Sequence, residues 1–359
     1  MSLATLTEST WHGVTPTIAF VVAAVLGVFF TPRMRKAAER FGIVDKPDGR
    51  LKTQRAPVAY LGGLAIYLAF LVTLGVLVDF EQRVLGLLLA STLVLLLGLV
   101  DDLEAQTPSV KFAGQILAVF VLMKAGIRIQ ITWLEGVPYL AEAVTLLWVV
   151  GITNAFNIID VMDGLAAGTA GVALVGLGAM AWWNGDIAIA SFTLSLAGAA
   201  FGFLRFNVAP ARIYLGDAGS MLLGFLVAAL ATQASWATHS AYAVAAPIVL
   251  LAVPIFDTAL VSFHRIKRGC SPFRGSPDHF AVRLRRHGYS AKVVAPVTWA
   301  LGAVCAALAL LLTRTGDRAS LAILGGVFGA GCAIGIWVSR YDGRVSEPLA
   351  SAPSEPPRP

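Results

Sequence analysis

The sequence predicts an all-α protein, a polytopic membrane helix bundle of about 10–11 transmembrane helices with its candidate active site on the cytoplasmic face. Three observations carry that expectation. Of the 359 residues, 57% are hydrophobic and 13% charged, with a mean hydropathy of +0.76, whereas a soluble chain is about 25% charged. Apolar runs recur at about the 20 residues needed to cross a hydrocarbon core. Carboxylates, costly at membrane depth, stand at the ends of several runs rather than along them.

In chain order the apolar runs fall near 14–32, 57–79, 84–100, 111–125, 139–154, 164–183, 187–205, 217–235, 241–263, 293–313 and 319–339. The fourth and fifth are short for spans. The first has the length of a signal peptide, but its basic residues Arg33, Arg35 and Lys36 follow it, so it reads as a span. Between the fourth and fifth, Arg128 to Tyr139 alternates and carries Gly136 and Pro138, the pattern of a small external hairpin. Residues 1–340 thus form one integral membrane domain, and the Pro- and Ser-rich stretch 341–359 is expected to be a disordered cytoplasmic tail. Cys270, Cys305 and Cys332 have neither metal-ligand spacing nor a disulfide framework. No inverted repeat of the transporter kind is visible.

Lys and Arg set the orientation. The 33–55 and 264–292 loops hold eight basic residues each. With the N-terminus outside and the C-terminus in the cytoplasm, only Arg83, Lys124, Arg128, Arg314 and Arg318 of the 27 fall outside. The same assignment brings Asp101-Asp102, Asn154 to Asp163, Asp217 and His279 to the cytoplasmic side, although the charge count does not use them. The net charge of +6 concentrates on that face. It serves topology and also attracts anionic lipid or a phosphorylated substrate. No nucleic-acid partner is implied.

Four constellations carry chemistry. Asp101-Asp102 close a greasy run; their mutual repulsion calls for a divalent cation or a basic group, and Lys111 is at hand to neutralise them or bind phosphate. A plain polar helix stop is the bland alternative. Asn154, Asn157, Asp160 and Asp163 recur every third residue, so neighbours share a helix face. That stripe drifts by about 60° per step, so a break near Asp163-Gly164 is expected to bend the last carboxylate back. Gly216-Asp-Ala-Gly-Ser220 opens a span, where a carboxylate suggests a metal ligand bridging to phosphate; an ordinary N-cap with a packing glycine explains the pentapeptide alone as well. Asp257 lies inside the ninth span, serving the site or pairing with Arg265 or a lysine. Beyond it, the basic loop from Ser271 is long enough for a lid, with His279 and Arg283 spaced to face one phosphate.

These residues resemble one family: the polyprenyl-phosphate N-acetylhexosamine-1-phosphate transferases of glycosyltransferase family 4. The resemblance runs from about Arg33 to Ser290. It rests on Gly98-Leu-Val-Asp-Asp102 with Lys111, on Asn154-Ala-Phe-Asn-Ile-Ile-Asp-Val-Met-Asp-Gly-Leu165, on Tyr214-Leu-Gly-Asp-Ala-Gly-Ser220, on Phe256-Asp257 and on Ser271-Pro-Phe-Arg274. The stretch Asp45-Lys-Pro-Asp-Gly-Arg50 with Lys52 is similar to the family's first cytoplasmic loop. One departure stands out. Where the family has His-x-His-His before Arg, this chain has His279-Phe-Ala-Val-Arg283.

The resemblance implies an enzyme of the bacterial inner membrane. It would pass a sugar 1-phosphate, an N-acetylhexosamine one in the family, from a UDP-sugar to polyprenyl phosphate, release UMP and start cell-envelope polysaccharide synthesis. Mg2+, with Mn2+ as a substitute, would neutralise charge. Asp217 and Asn157 would hold it, with Asp101, Asp102, Asp160 and Asp163 catalytic. Lys52, Lys111, Asn154, Asn157, His279 and Arg283 would bind substrate, and a homodimer is compatible with the family. Losing two histidines implies a donor other than plain UDP-GlcNAc, or weak affinity for it. Two rivals stay open: an inactive family member acting as a scaffold, and a proton-coupled transporter of an anionic substrate.

Overall fold

A computed structural model describes residues 16–45, 57–77, 81–131, 137–233, 239–271 and 278–340. Among them, seven helices are long and apolar enough to cross a membrane. They are α1 (Pro16–Phe41), α3 (Gln82–Leu103), α5 (Leu140–Ile159), α6 (Leu165–Trp183), α7 (Ile187–Asn207), α12 (Ala291–Leu312) and α13 (Asp317–Arg340). Shorter apolar helices are α2 (Gly62–Leu77) and α8 (Gly216–Ala231), and α4 covers Pro108–Lys124. A 3-10 turn at Ala241–Ala245 leads into α9 (Ala246–Leu250), and α10 (Ala252–Lys267) leaves that segment with a bend of 72°, a broken span. The short α11 (Phe280–Arg286) follows. Each of the eleven apolar runs thus has its helix or broken pair.

The departures have physical causes. Helix α1 continues to Phe41, well past the apolar run, because Arg33, Arg35, Lys36 and Arg40 are good helix formers once they leave the bilayer. Helix α5 stops at Ile159 and α6 begins at Leu165, with Gly164 at φ +74°. The break therefore comes before Asp160, not after Asp163, and both carboxylates ride on the turn. The chain is also not purely helical. Val44–Asp45 pairs antiparallel with Val58–Ala59, and Ala59 bridges to Ile213. Of the expected external hairpin, the described residues show no strand, and 132–136 lie outside the description. So do Lys52, most of the first cytoplasmic loop, 272–277 and the tail 341–359.

Helix α8 is buried on every side, packed among α2, α3 and α5. A 16-residue helix is only about 24 Å long, short of a hydrocarbon core of about 30 Å. In its first turn Asp217 is the one residue of the helix that is not fully buried. The chain ahead of α2 follows the chain ahead of α8: Tyr214 N–H donates to Ala59 O (2.8 Å), Gly62 N–H to Tyr214 O (3.1 Å) and Gly63 N–H to Leu215 O (3.0 Å). Helix α3 approaches as closely, since a Cβ on Gly98 would run into the backbone of Ala218. Small residues permit such contact where no hydrophobic force drives helices together in lipid.

Candidate active site

The last turn of α3 delivers Asp101 and Asp102 to two different neighbours. Asp102 accepts from the backbone N–H of Asp217 (2.7 Å) and of Ala218 (3.2 Å), capping α8 from another helix. The first N–H groups of a helix lack internal partners and carry positive dipole charge, so a carboxylate suits them. Gly216 makes room: its φ is +73°, and a Cβ there would collide with the Asp102 carboxylate. Asp101 accepts from Gln106 N–H (2.7 Å) and pairs with Lys111.

Lys111 stands in the first turn of α4, where the helix dipole disfavours a cation. Its place is explained by the carboxylates it joins, because besides Asp101 it donates to Asp217 Oδ2 at 2.7 Å. Asn157 donates to the other oxygen, Asp217 Oδ1, at 3.0 Å and to Ser220 Oγ at 3.0 Å. Accessibility separates the two acids. The Asp217 side chain is 34% exposed and that of Asp101 only 6%. Asp217 is the member of the cluster that a ligand can reach; Asp101 is the fixed counter-charge behind Lys111.

One turn deeper, Asn154 leaves this group. It donates to Gln115 Oε1 (2.7 Å) and Val150 O (2.8 Å), and Gln115 also meets Met221 Sδ (3.4 Å). Asn154 therefore joins α4 to α5 rather than facing the carboxylates. Asp160 and Asp163, on the turn after α5, join Asp45, Asp102 and Asp217 in lining a cleft of about 330 Å3. Asp163 is steadied by Ala211 N–H (2.9 Å), and Gly164 N–H by Asn207 Oδ1 (3.0 Å). Burial raises the Asp160 carboxyl well above its usual range, and the charges of Asp217, Asp102 and Asp163 add to the rise. Burial, with Asp163 and Asp45 nearby, pushes the Tyr214 phenol up to about 12. Burial and Asp45 push Tyr60 up as well.

The donor set is oxygen only, which is the chemistry of a hard divalent cation. Among the described residues no three acidic, His or Cys side chains form a closed cage. Mg2+ does not need one, since it binds through one or two carboxylates and fills its remaining positions with water and substrate phosphate. Asp217, reachable and braced by Asn157, fits that use.

His279 and Arg283 are not on the cleft wall. His279 Nδ1 bonds Asp257 Oδ2 at 2.9 Å, and Arg283 binds Asp278 through Nε to the carbonyl (2.9 Å) and through a terminal nitrogen to Oδ1 (2.9 Å). Asp257 is thus paired with His279, a partner that the sequence alternatives for it did not include. His264 is buried, its Nε2 bonded to Ser339 Oγ at 2.9 Å. The sequence reading did not single out Tyr60, Gln115 or Asn207, and it quoted Asp45 and Tyr214 only within longer motifs, without a role at the site. Tyr214 adjoins the Gly-Asp-Ala-Gly-Ser run and Asp45 opens the first-loop motif; Tyr60, Gln115 and Asn207 arrive by contacts between distant segments.

Residues 84–235 match the model of the family described as glycosyl transferase family 4. A Bacillus subtilis protein named "Probable undecaprenyl-phosphate N-acetylglucosaminyl 1-phosphate transferase" is 31% identical over 319 residues, covering 86% of this chain and 87% of the relative. A decaprenyl-phosphate N-acetylglucosaminephosphotransferase of Mycolicibacterium smegmatis is 31% identical over 308 residues, 75% of each chain. The undecaprenyl-phosphate alpha-N-acetylglucosaminyl 1-phosphate transferase of Escherichia coli K12 is 27% identical over 292 residues, covering 77% of this chain and 78% of the relative.

Proposed function

Because the chain belongs to glycosyl transferase family 4, we propose that it transfers a sugar 1-phosphate, of the N-acetylhexosamine class, to polyprenyl phosphate. The donor in this reading is a UDP-sugar and the by-product UMP. The observation that carries the reading is the Asp101–Lys111–Asp217–Asn157 cluster at the N-terminus of α8, opening on an acidic cleft. In this reading the cleft faces the cytoplasm from a bacterial inner membrane, where both a lipid phosphate and a nucleotide are at hand; the eight basic residues in each of the 33–55 and 264–292 loops support that side.

The reaction joins a lipid-phosphate oxygen to the sugar-linked phosphorus and breaks that phosphorus's bond to UMP. Phosphoryl transfer of this kind needs positioning and charge neutralisation more than covalent chemistry. Asp217 with Asn157 would hold Mg2+, which supplies that neutralisation when bound. Lys111 bridges Asp101 and Asp217 and offers a cation to a phosphate. Asp102 holds the α8 N-terminus in place and, with it, the backbone that presents Asp217. Asp160 and Asp163 face the cleft from the turn after α5 and position the substrates. Asn154 supports this from behind through Gln115.

The test is to incubate the purified chain with labelled UDP-N-acetylhexosamines, undecaprenyl phosphate and Mg2+. The expected result is labelled lipid and UMP in equal amounts. Release of UMP without lipid labelling, or neither product with any donor, overturns the reading.

A further inference from the structure

Helices α6 and α12 run side by side away from the cleft. At the cleft end, Trp299 Nε1 of α12 donates to the carbonyl of Gly164, the residue that opens α6, at 3.2 Å. At the far end, a terminal nitrogen of Arg314 donates to Trp183 O (2.8 Å) and to Asn184 Oδ1 (3.1 Å). The 19 residues of α6 separate the two ends by about 28 Å.

Between the two helices, within their spans, lies an apolar groove of about 320 Å3. Gly176 lets the helices close up, since a Cβ there would stand 2.6 Å from Ala306 Cβ, and the small side chains of Ala179, Ala303 and Ala307 leave the flanks unfilled. The groove points at a cation. Val175, Ala179 and Trp183 recur every fourth residue on α6. Ala303, Ala307 and Leu310 follow one face of α12, and Arg314, just past its end, falls four residues further on.

Arg314 pairs with no carboxylate among the described residues. The acids nearest in the chain are engaged elsewhere: Asp186 accepts from Ile189 N–H (3.0 Å) and Asp317 from Ser240 Oγ (2.6 Å). The guanidinium lies 5.2 Å from the Trp183 ring, and Trp182 and Trp183 are both exposed, as aromatic residues are at a membrane–water boundary. Arg314 Nε and Asn184 Nδ2 are shielded from water and have no acceptor. Buried donors almost always have a partner, and leaving one unpaired is costly, so the cluster is incomplete as the chain alone builds it.

We propose that the groove and its cationic end bind an anionic glycerophospholipid, with an acyl chain lying between α6 and α12 and the phosphate on Arg314 and Asn184. A guanidinium with no carboxylate selects an anion, and the apolar groove about one turn away selects an anion that carries a hydrocarbon chain. The acceptor of the proposed reaction is not this lipid, because a phosphate held here stands about 28 Å from the cleft. The site is independent of that reaction, and its lipid fastens the far ends of α6 and α12 together.

The experiment uses the full chain in detergent, stripped of lipid and titrated with dioleoyl phosphatidylglycerol. Bound lipid is counted by native mass spectrometry, with melting temperatures alongside. The variants are Arg314→Gln, which removes the charge, and Ala307→Phe, which fills the groove from its exposed side. The wild type should retain one phosphatidylglycerol, bind phosphatidylcholine of the same chains about ten-fold more weakly, and melt higher with phosphatidylglycerol present. Each variant should bind phosphatidylglycerol about ten-fold more weakly and lose that rise in melting temperature. Inorganic phosphate, which has no chain, should produce no rise. If Arg314→Gln does not fold, Ala307→Phe with the phosphatidylcholine comparison carries the test. Undiminished retention of phosphatidylglycerol by either folded variant, equally tight phosphatidylcholine, or a wild type that forms dimers excluding lipid overturns the proposal.

Discussion

At the cleft, Asp217 keeps 34% of its side chain exposed and shares its two oxygens between Lys111 and Asn157. Where α10 meets α11, Asp257 and Asp278 are closed off from solvent, each holding N–H donors of the neighbouring segment. The two regions use the same side chain for different purposes. A carboxylate that a ligand can reach, braced by one cation and one amide, is set up for chemistry. A carboxylate saturated and sealed is a fastening, and removing it strands its partners in a place where charge is expensive. Loss at the cleft should therefore cost turnover more than stability, and loss where α10 meets α11 should do the reverse.

The largest expected effect is at Lys111. Lys111→Met leaves Asp101 and Asp217 facing each other without a cation and removes a phosphate-binding charge. Turnover should fall on the order of 10²–10³-fold, as for other preorganised electrostatic groups, well beyond the loss of stability that follows from leaving Asp101 buried without its cation. Next is Asp278→Asn, which leaves the buried Arg283 unbalanced. It should cost about 3 kcal/mol of stability, read as a lowered denaturation midpoint, with kcat per folded molecule nearly kept. Gly98→Ala would sharpen the comparison, because it touches both properties. The added methyl meets the Ala218 backbone and should push α3 from α8 at about 1–3 kcal/mol, misplacing Asp102 and lowering activity together with stability. The smallest effect is expected from Val282→His. Val282 is half-buried, unlike Ala281, so the imidazole is tolerated and any gain should appear as a several-fold lower donor KM alone.

The amino-acid sequence already exposed the helical bundle, its eleven apolar runs and the acidic groups Asp101, Asp102 and Asp217, because charge in a greasy chain is conspicuous. The turn after α5 was less legible. A spacing of three looks helical through Asp163, yet Gly164 in a left-handed conformation and the bond from Ala211 to Asp163 pull the chain out of the helix from Asp160 onward. The Gln115–Asn154 pair joins amides 39 residues apart, and Asp45 with Tyr60 reaches the cleft through strand contacts to Ile213 and Tyr214; no local pattern announces those contacts. The partner of Asp257 was undecidable for the same reason, since Arg265 is nearer in the chain than His279.

The central claim is that Asp217 is the reachable ligand of a divalent cation used in phosphoryl transfer. It is tested most directly by measuring lipid-linked product against Mg2+ concentration, after chelation, for the wild type and Asp217→Asn, with melting temperatures alongside. The account predicts no product without metal, saturable recovery in the wild type, and a folded Asp217→Asn protein that stays inactive even at high Mg2+. Near-normal turnover by Asp217→Asn at limiting Mg2+ would contradict it.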